Sequence, residues 1–128
     1  MEMRTRLGLL VVAATCIGAA PAAAQATLPA GVTPAMIAKG KTIFTSSGLC
    51  FACHGMDAKG VVGPNLTDGT WLHGKGTYPE IVQIVTTGIP VDQTKLGKGA
   101  MPPKGGSQIS EDDVKAVAAY VWSLSHPT

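Results

Sequence analysis

Cys50-Phe51-Ala52-Cys53-His54 sets two thiols three positions apart and an imidazole directly after the second. Thiols at that spacing can reach the two vinyl groups on one edge of a porphyrin. The adjoining His54 is then carried beneath the ring centre, where an imidazole nitrogen can bind iron. A covalent tether also keeps such a group attached in the cell envelope. Other chemistries use these residues less completely. A disulfide between Cys50 and Cys53 would suit an oxidising compartment, and a thioredoxin-like pair needs only Cys-x-x-Cys, but neither employs His54. A zinc site needs a second ligand pair at similar spacing, and the one remaining cysteine, Cys16, lies in the leader-like N-terminus. The five positions together point to one haem c, covalent through Cys50 and Cys53, with His54 on the iron.

The opposite axial position then needs a ligand, and the candidates are Met36, Met56, Met101, His73 and His126. Met56 is two residues from His54 and cannot swing to the far face. Met36 sits in a helical pattern and reads as core, and His126 sits at a fraying C-terminus. Met101 lies in a loop, and Pro102 biases it to an extended backbone and removes an N–H at the next residue, which stiffens the strap. Its soft thioether suits haem iron in cytochromes c. His73 stays open as the alternative. With both axial sites filled, oxygen and peroxide have no vacant position, and a neutral sulfur ligand favours Fe(II).

The elements that would position these groups are short helices separated by loops. Thr33 as N-cap and Pro34 at the first helical position open a helix, in which Ile37, Gly40 and Phe44 recur at helical spacing and which Gly48 ends. Gly40 inside it costs about 1 kcal/mol against Ala, so close approach of another backbone is expected there. Thr77-x-x-Glu80 is a capping box that opens a second helix, with Ile81, Ile84 and Val85 on one side and Gly88 as its stop. Ser110 caps a third. Glu111, Asp112 and Asp113 load its positive end, and Val114, Val117, Ala118, Val121 and Trp122 form its apolar stripe. Between these helices, residues 48–76 and 89–107 are rich in Gly and Pro, and loops so long need a ligand to wrap. Strand alternation and internal repeats are absent, so the expected class is all-α.

Residues 1–24 read as a cleaved signal peptide. Arg4 and Arg6 precede an uncharged run from Leu7 to Ala20 and small residues around Ala22 and Ala24. An uncleaved anchor fits less well, since only Leu7 to Ile17 is strongly apolar and a span needs about 18 such residues or more. A lipid on Cys16 lacks the expected Leu-x-small pattern before it. Without residues 1–24 the 128-residue chain keeps 104, one domain over 25–128 with no stable membrane insertion expected. Two Phe, two Tyr and two Trp give so small a domain a thin core, which a large apolar prosthetic group would fill. The whole chain is formally +2. Its lysines, among them Lys39, Lys59, Lys95 and Lys98, are scattered as a solvated surface would have them. That is not the concentrated basic face of a nucleic-acid binder.

The chain resembles the class I cytochromes c, and within them the haem domains of the dihaem subunit of cbb-type haem-copper oxidases and similar small bacterial cytochromes. The resemblance runs from about Gly40 to Ser125. It rests on Gly40 and Phe44, CFACHG at 50–55, GPNLTD at 63–68, WLHG at 71–74, MPP at 101–103 and AAYVWSLS at 118–125. It implies a cytochrome c fold in which the first and last helices cross at Gly40, Phe44 and Tyr120, with Met101 as the axial methionine. It further implies that the carbonyl of Pro64 accepts from the free ring nitrogen of His54, and that Asn65 and Trp71 bond around the haem propionates. The chain departs from the oxidase pattern at His73, where Tyr is expected, and at Pro103-Lys104, where an aromatic is usual. Asn65-Leu66-Thr67 matches a glycosylation acceptor, but a bacterial cytochrome carries no sugar there.

The expected function is that of a periplasmic one-electron carrier, not itself an enzyme, monomeric and docking briefly with a dehydrogenase or terminal oxidase. A dedicated electron-transfer subunit of such a complex is the alternative, and a small haem peroxidase with an open sixth site is a further one.

Overall fold

The computed structural model describes residues 27–127; the leader expected over residues 1–24 lies outside them. Four helices organise the described residues: α1 (Pro34–Phe44), α2 (Phe51–His54), α3 (Tyr78–Thr87) and α4 (Glu111–Ser125), with short 3-10 turns at Val91–Gln93 and Pro103–Gly106. Among the described residues there is no strand. An antiparallel bridge pairs Ile89 with Met101, and among the described residues no helix is long and apolar enough to cross a membrane.

The caps explain where the helices begin. Thr33 accepts from the Met36 amide at 3.2 Å, with Pro34 in the first turn. Thr77 and Glu80 close a capping box, and Ser110 and Asp113 close another on α4, each satisfying amides that a helix start leaves without partners. The end of α1 differs from the expected stop at Gly48. The last helical residue is Phe44, because the Thr45 and Ser46 hydroxyls bond back to carbonyls of the last turn and the Gly48 amide closes on Ile43 O at 2.8 Å. The turn of α2, which carries the Cys-x-x-Cys-His residues, is too short to leave a helical periodicity in the sequence.

Helices α1 and α4 share the most extensive contact of the fold. Gly40 touches the main-chain carbonyl of Ala116 so closely that no Cβ fits, which is the reason for a glycine in mid-helix. One turn on, Phe44 is fully buried and meets Tyr120 edge to face, with centroids 5.4 Å apart and planes at 70°. Burying a Phe side chain contributes roughly 1.5–3 kcal/mol. Lys39 joins Asp113 at 2.7 Å across the same crossing, an exposed pair that adds little. Helix α3 packs on α4, and the Tyr78 hydroxyl donates to the Lys115 carbonyl at 3.4 Å. The core runs through Phe44, Ile81, Val85, Val114, Val117 and Val121.

Candidate functional site

A cavity of about 1130 Å³, its open mouth included, lies between the helices and the two long loops. Cys50, Cys53, His54, Pro64, Asn65, Trp71, His73 and Met101 all border it, and Phe44, Ile81, Val85, Val117 and Val121 supply much of its apolar wall.

Helix α2 aims the first group of residues. Its turn is tied to the following loop by Gly60 N to His54 O at 2.7 Å and by the Val61 and Gly63 amides to Cys53 O at 3.0 and 2.9 Å. His54 is buried, and its Nδ1 lies 3.0 Å from the Pro64 carbonyl. A carbonyl can only accept, so Nδ1 carries the proton and Nε2 keeps the lone pair. Burial lowers the imidazole pKa, with the Pro64 bond opposing, so the ring favours the neutral form that can bind a metal. Cys50 and Cys53 are not joined to each other. Cys50 is half-buried and Cys53 exposed, and burial pushes the Cys50 thiol up to about 11.

Of the five candidates for the second axial position, Met101 and His73 border the cavity. Met56 is 63 % exposed. Met36 lies on α1, and His126 stacks on Trp122 at 4.4 Å with its Nδ1 2.9 Å from the Trp122 carbonyl. Met101 is held by two main-chain bonds with Ile89, at 2.7 and 2.9 Å. Gly88 lies so close to the Met101 carbonyl that a side chain there would displace the strap. Asn65 Oδ1 accepts from the amide and hydroxyl of Thr67, both at 2.8 Å, so that oxygen is committed to the loop. The Trp71 indole lies against Gly76, which has no room for a Cβ.

Several site residues carried no signal of their own in the sequence. A Cβ on Gly63 would lie 2.8 Å from Cε1 of His54 and 2.9 Å from its Nδ1, so the glycine lets the loop press against the imidazole. Lys95 Nζ donates to the Leu72 carbonyl at 2.8 Å, and the Gly99 amide to the Val62 carbonyl at 3.3 Å; both bridge the two loops at the rim. Only family resemblance flagged Gly63, and nothing local marked the two lysine and glycine bridges.

Residues 35–121 match the family described as cytochrome C oxidase, cbb3-type, subunit III. The chain belongs to this family. Among its relatives, the cbb3-type cytochrome c oxidase subunit CcoP of Rubrivivax gelatinosus is 43% identical over 93 residues, covering 72% of this chain and 27% of the relative. Subunit FixP of Azorhizobium caulinodans is 38% identical over 97 residues, covering 73% and 29%. The chain thus spans little more than a quarter of the relatives it matches. Cytochrome cL from Hyphomicrobium denitrificans superposes with a TM-score of 0.50 at 25% identity, over 67% of this chain and 45% of that one, which places the chain in the cytochrome c fold. As a c-type cytochrome domain, this family member serves electron transfer and carries covalently bound haem c. The residues present fit that group: an apolar cavity, two thiols unjoined on its wall, and a buried imidazole whose Nδ1 is held by Pro64, leaving Nε2 for a metal.

Proposed function

We propose that the chain is an exported one-electron carrier whose single haem c is held between His54 and Met101. It works in the periplasm with a terminal oxidase or a dehydrogenase as its redox partner. The observation that carries this reading is the convergence on one apolar cavity of Cys50, Cys53, His54 and Met101, contributed by α2 and by a loop about fifty residues away in sequence.

When bound, the haem supplies a one-electron Fe(III)/Fe(II) couple. The protein does the rest. The Pro64 carbonyl fixes the His54 tautomer and orientation, as outer partners of metal ligands do. Met101 presents a neutral thioether that favours the reduced state. Ile81, Val85 and Val117 line the wall with hydrocarbon and exclude water. Asn65 and Trp71 border the cavity, and their side-chain N–H groups would serve as donors to the propionates. Electrons would enter and leave at the edge tethered by Cys50 and Cys53.

A second reading is favoured by the relatives' names, which are those of oxidase subunits: a fixed electron-transfer subunit of a terminal oxidase. Purification from the host separates the two. A monomer on a sizing column supports the diffusing carrier, and co-elution with oxidase polypeptides supports the subunit. The chemistry itself is tested by haem staining on a denaturing gel with a reduced-minus-oxidised spectrum. Absence of stain after normal cytochrome maturation overturns both readings. A ferric sample lacking the sulfur-to-iron charge-transfer band overturns Met101 and favours a peroxidase-like open site.

A further inference from the structure

Lys104 occupies a backbone conformation that a glycine would normally fill. Lys104, Gly105 and Gly106 have φ of +54°, +64° and +80°, three left-handed residues in succession that reverse the chain just after Met101-Pro102-Pro103. A non-glycine residue there is strained, and its carbonyl is pinned by the Ser107 amide at 3.1 Å and hydroxyl at 2.7 Å. The side chain adds what a glycine could not. Its ammonium donates to the Ile109 carbonyl at 3.0 Å and pairs with Glu111 at 2.9 Å, at the entry to α4, with the Lys104 side chain only 27% exposed. Glu111 stands in the first turn of that helix, where negative charge is already favoured.

We propose that Lys104 is the positioning residue for Met101, clamping the C-terminal side of the methionine strap onto α4. The inference rests on the reading of Met101 as the axial ligand. Before Met101 the chain is held by the Ile89 pairing. After it come two prolines, whose fixed φ transmits the position of Lys104 back to the thioether with little slack. With the clamp made, Met101 is anchored on both sides, by Ile89 just past the end of α3 and by the entry to α4. With it broken, the strap loses its hold on the entry to α4 and the methionine yields more readily to a competing ligand. A charge-assisted, half-buried bond of this kind is strong enough to shift that competition about tenfold.

The test compares haem-loaded wild type, Lys104→Met, Glu111→Gln and Met101→Ala by the ferric sulfur-to-iron charge-transfer band and by titration with imidazole, a neutral ligand whose binding is little affected by a lost surface charge. Met101→Ala is expected to lose the band and bind imidazole most tightly. Lys104→Met is expected to keep the band and bind imidazole about tenfold more tightly than wild type, with Glu111→Gln shifted in the same direction by less and Lys104→Arg restored toward wild type. Wild-type imidazole affinity in Lys104→Met, with Met101→Ala altered, overturns the clamp and leaves the ligand reading standing. An unchanged band and affinity in Met101→Ala overturn the ligand reading and the clamp with it. Should Lys104→Met fail to accumulate with haem, Glu111→Gln decides: wild-type affinity there overturns the proposal.

Discussion

The carbonyl oxygen of Ala116 on α4 lies where a Cβ on Gly40 of α1 would have to go. The two helices therefore meet backbone to backbone, and the Phe44 and Tyr120 rings close the contact one turn away. Gly40→Ala gains about 1 kcal/mol of helix propensity but forces the helices apart, an overpacking typically costing 1–3 kcal/mol or more. The expected outcome is a net loss that lowers the thermal midpoint of the haem-loaded protein by roughly 5–10 °C. A midpoint at or above wild type by calorimetry would show that the crossing relaxes freely.

Met101→Ala is expected to lower the reduction potential by on the order of 0.1 V, a fraction of the ~0.8 V that axial ligands span, and to admit cyanide readily. Redox titration with a cyanide-binding assay checks both, and wild-type values in the two would remove Met101 from the iron.

The unmodified polypeptide is expected to be largely unfolded, since the cavity would leave Phe44, Val85, Val117 and Val121 facing a void. Far-ultraviolet circular dichroism of haem-free Cys50→Ala/Cys53→Ala should show little helix. Native-like helicity in that variant contradicts the expectation.

Two carboxylates set part of the acid limit. Amide donation from Thr77 and from Lys75, with the Thr77 hydroxyl added, holds Glu80 below its ordinary range. Lys39, followed by the Ser110 hydroxyl and amide, does the same for Asp113. A group whose folded pKa is depressed stabilises fully above its unfolded value, and that stability disappears as pH falls through the folded one. The loss therefore begins as pH reaches the ordinary carboxylate values and is complete below the depressed ones. Glu80→Gln and Asp113→Asn should each weaken the protein at neutral pH and flatten the acid limb of stability, measured by denaturant melts across pH. Parallel acid limbs in wild type and variant would count against it.

What the sequence disclosed and what it withheld divide along range. Thr33, Thr77 with Glu80, and Ser110 announce helix starts because caps act within a few residues. Gly40 was legible as a close approach because a glycine in mid-helix carries a cost that something must repay. The spacing of Cys50, Cys53 and His54 was legible because the thiols and imidazole lie on one short turn. The Ile89–Met101 pairing, the reach of Lys95 to Leu72 and the grip of Lys104 on Ile109 are side-chain-to-backbone or isolated main-chain contacts within or between loops. They leave no periodicity and depend on where the folded loops come to rest. The short α2 turn and the early end of α1 were hidden similarly, since Thr45 and Ser46 read as helix-compatible until their hydroxyls are seen turning back.

The two loops that flank the cavity are stitched to each other at the rim by a pair of hydrogen bonds, Lys95 to Leu72 and Gly99 to Val62, whereas the helices behind them interlock backbone against backbone. The domain thus has a firm spine and a weak seam. In the finished protein, transient opening should therefore start at the seam and leave the helical crossing shut.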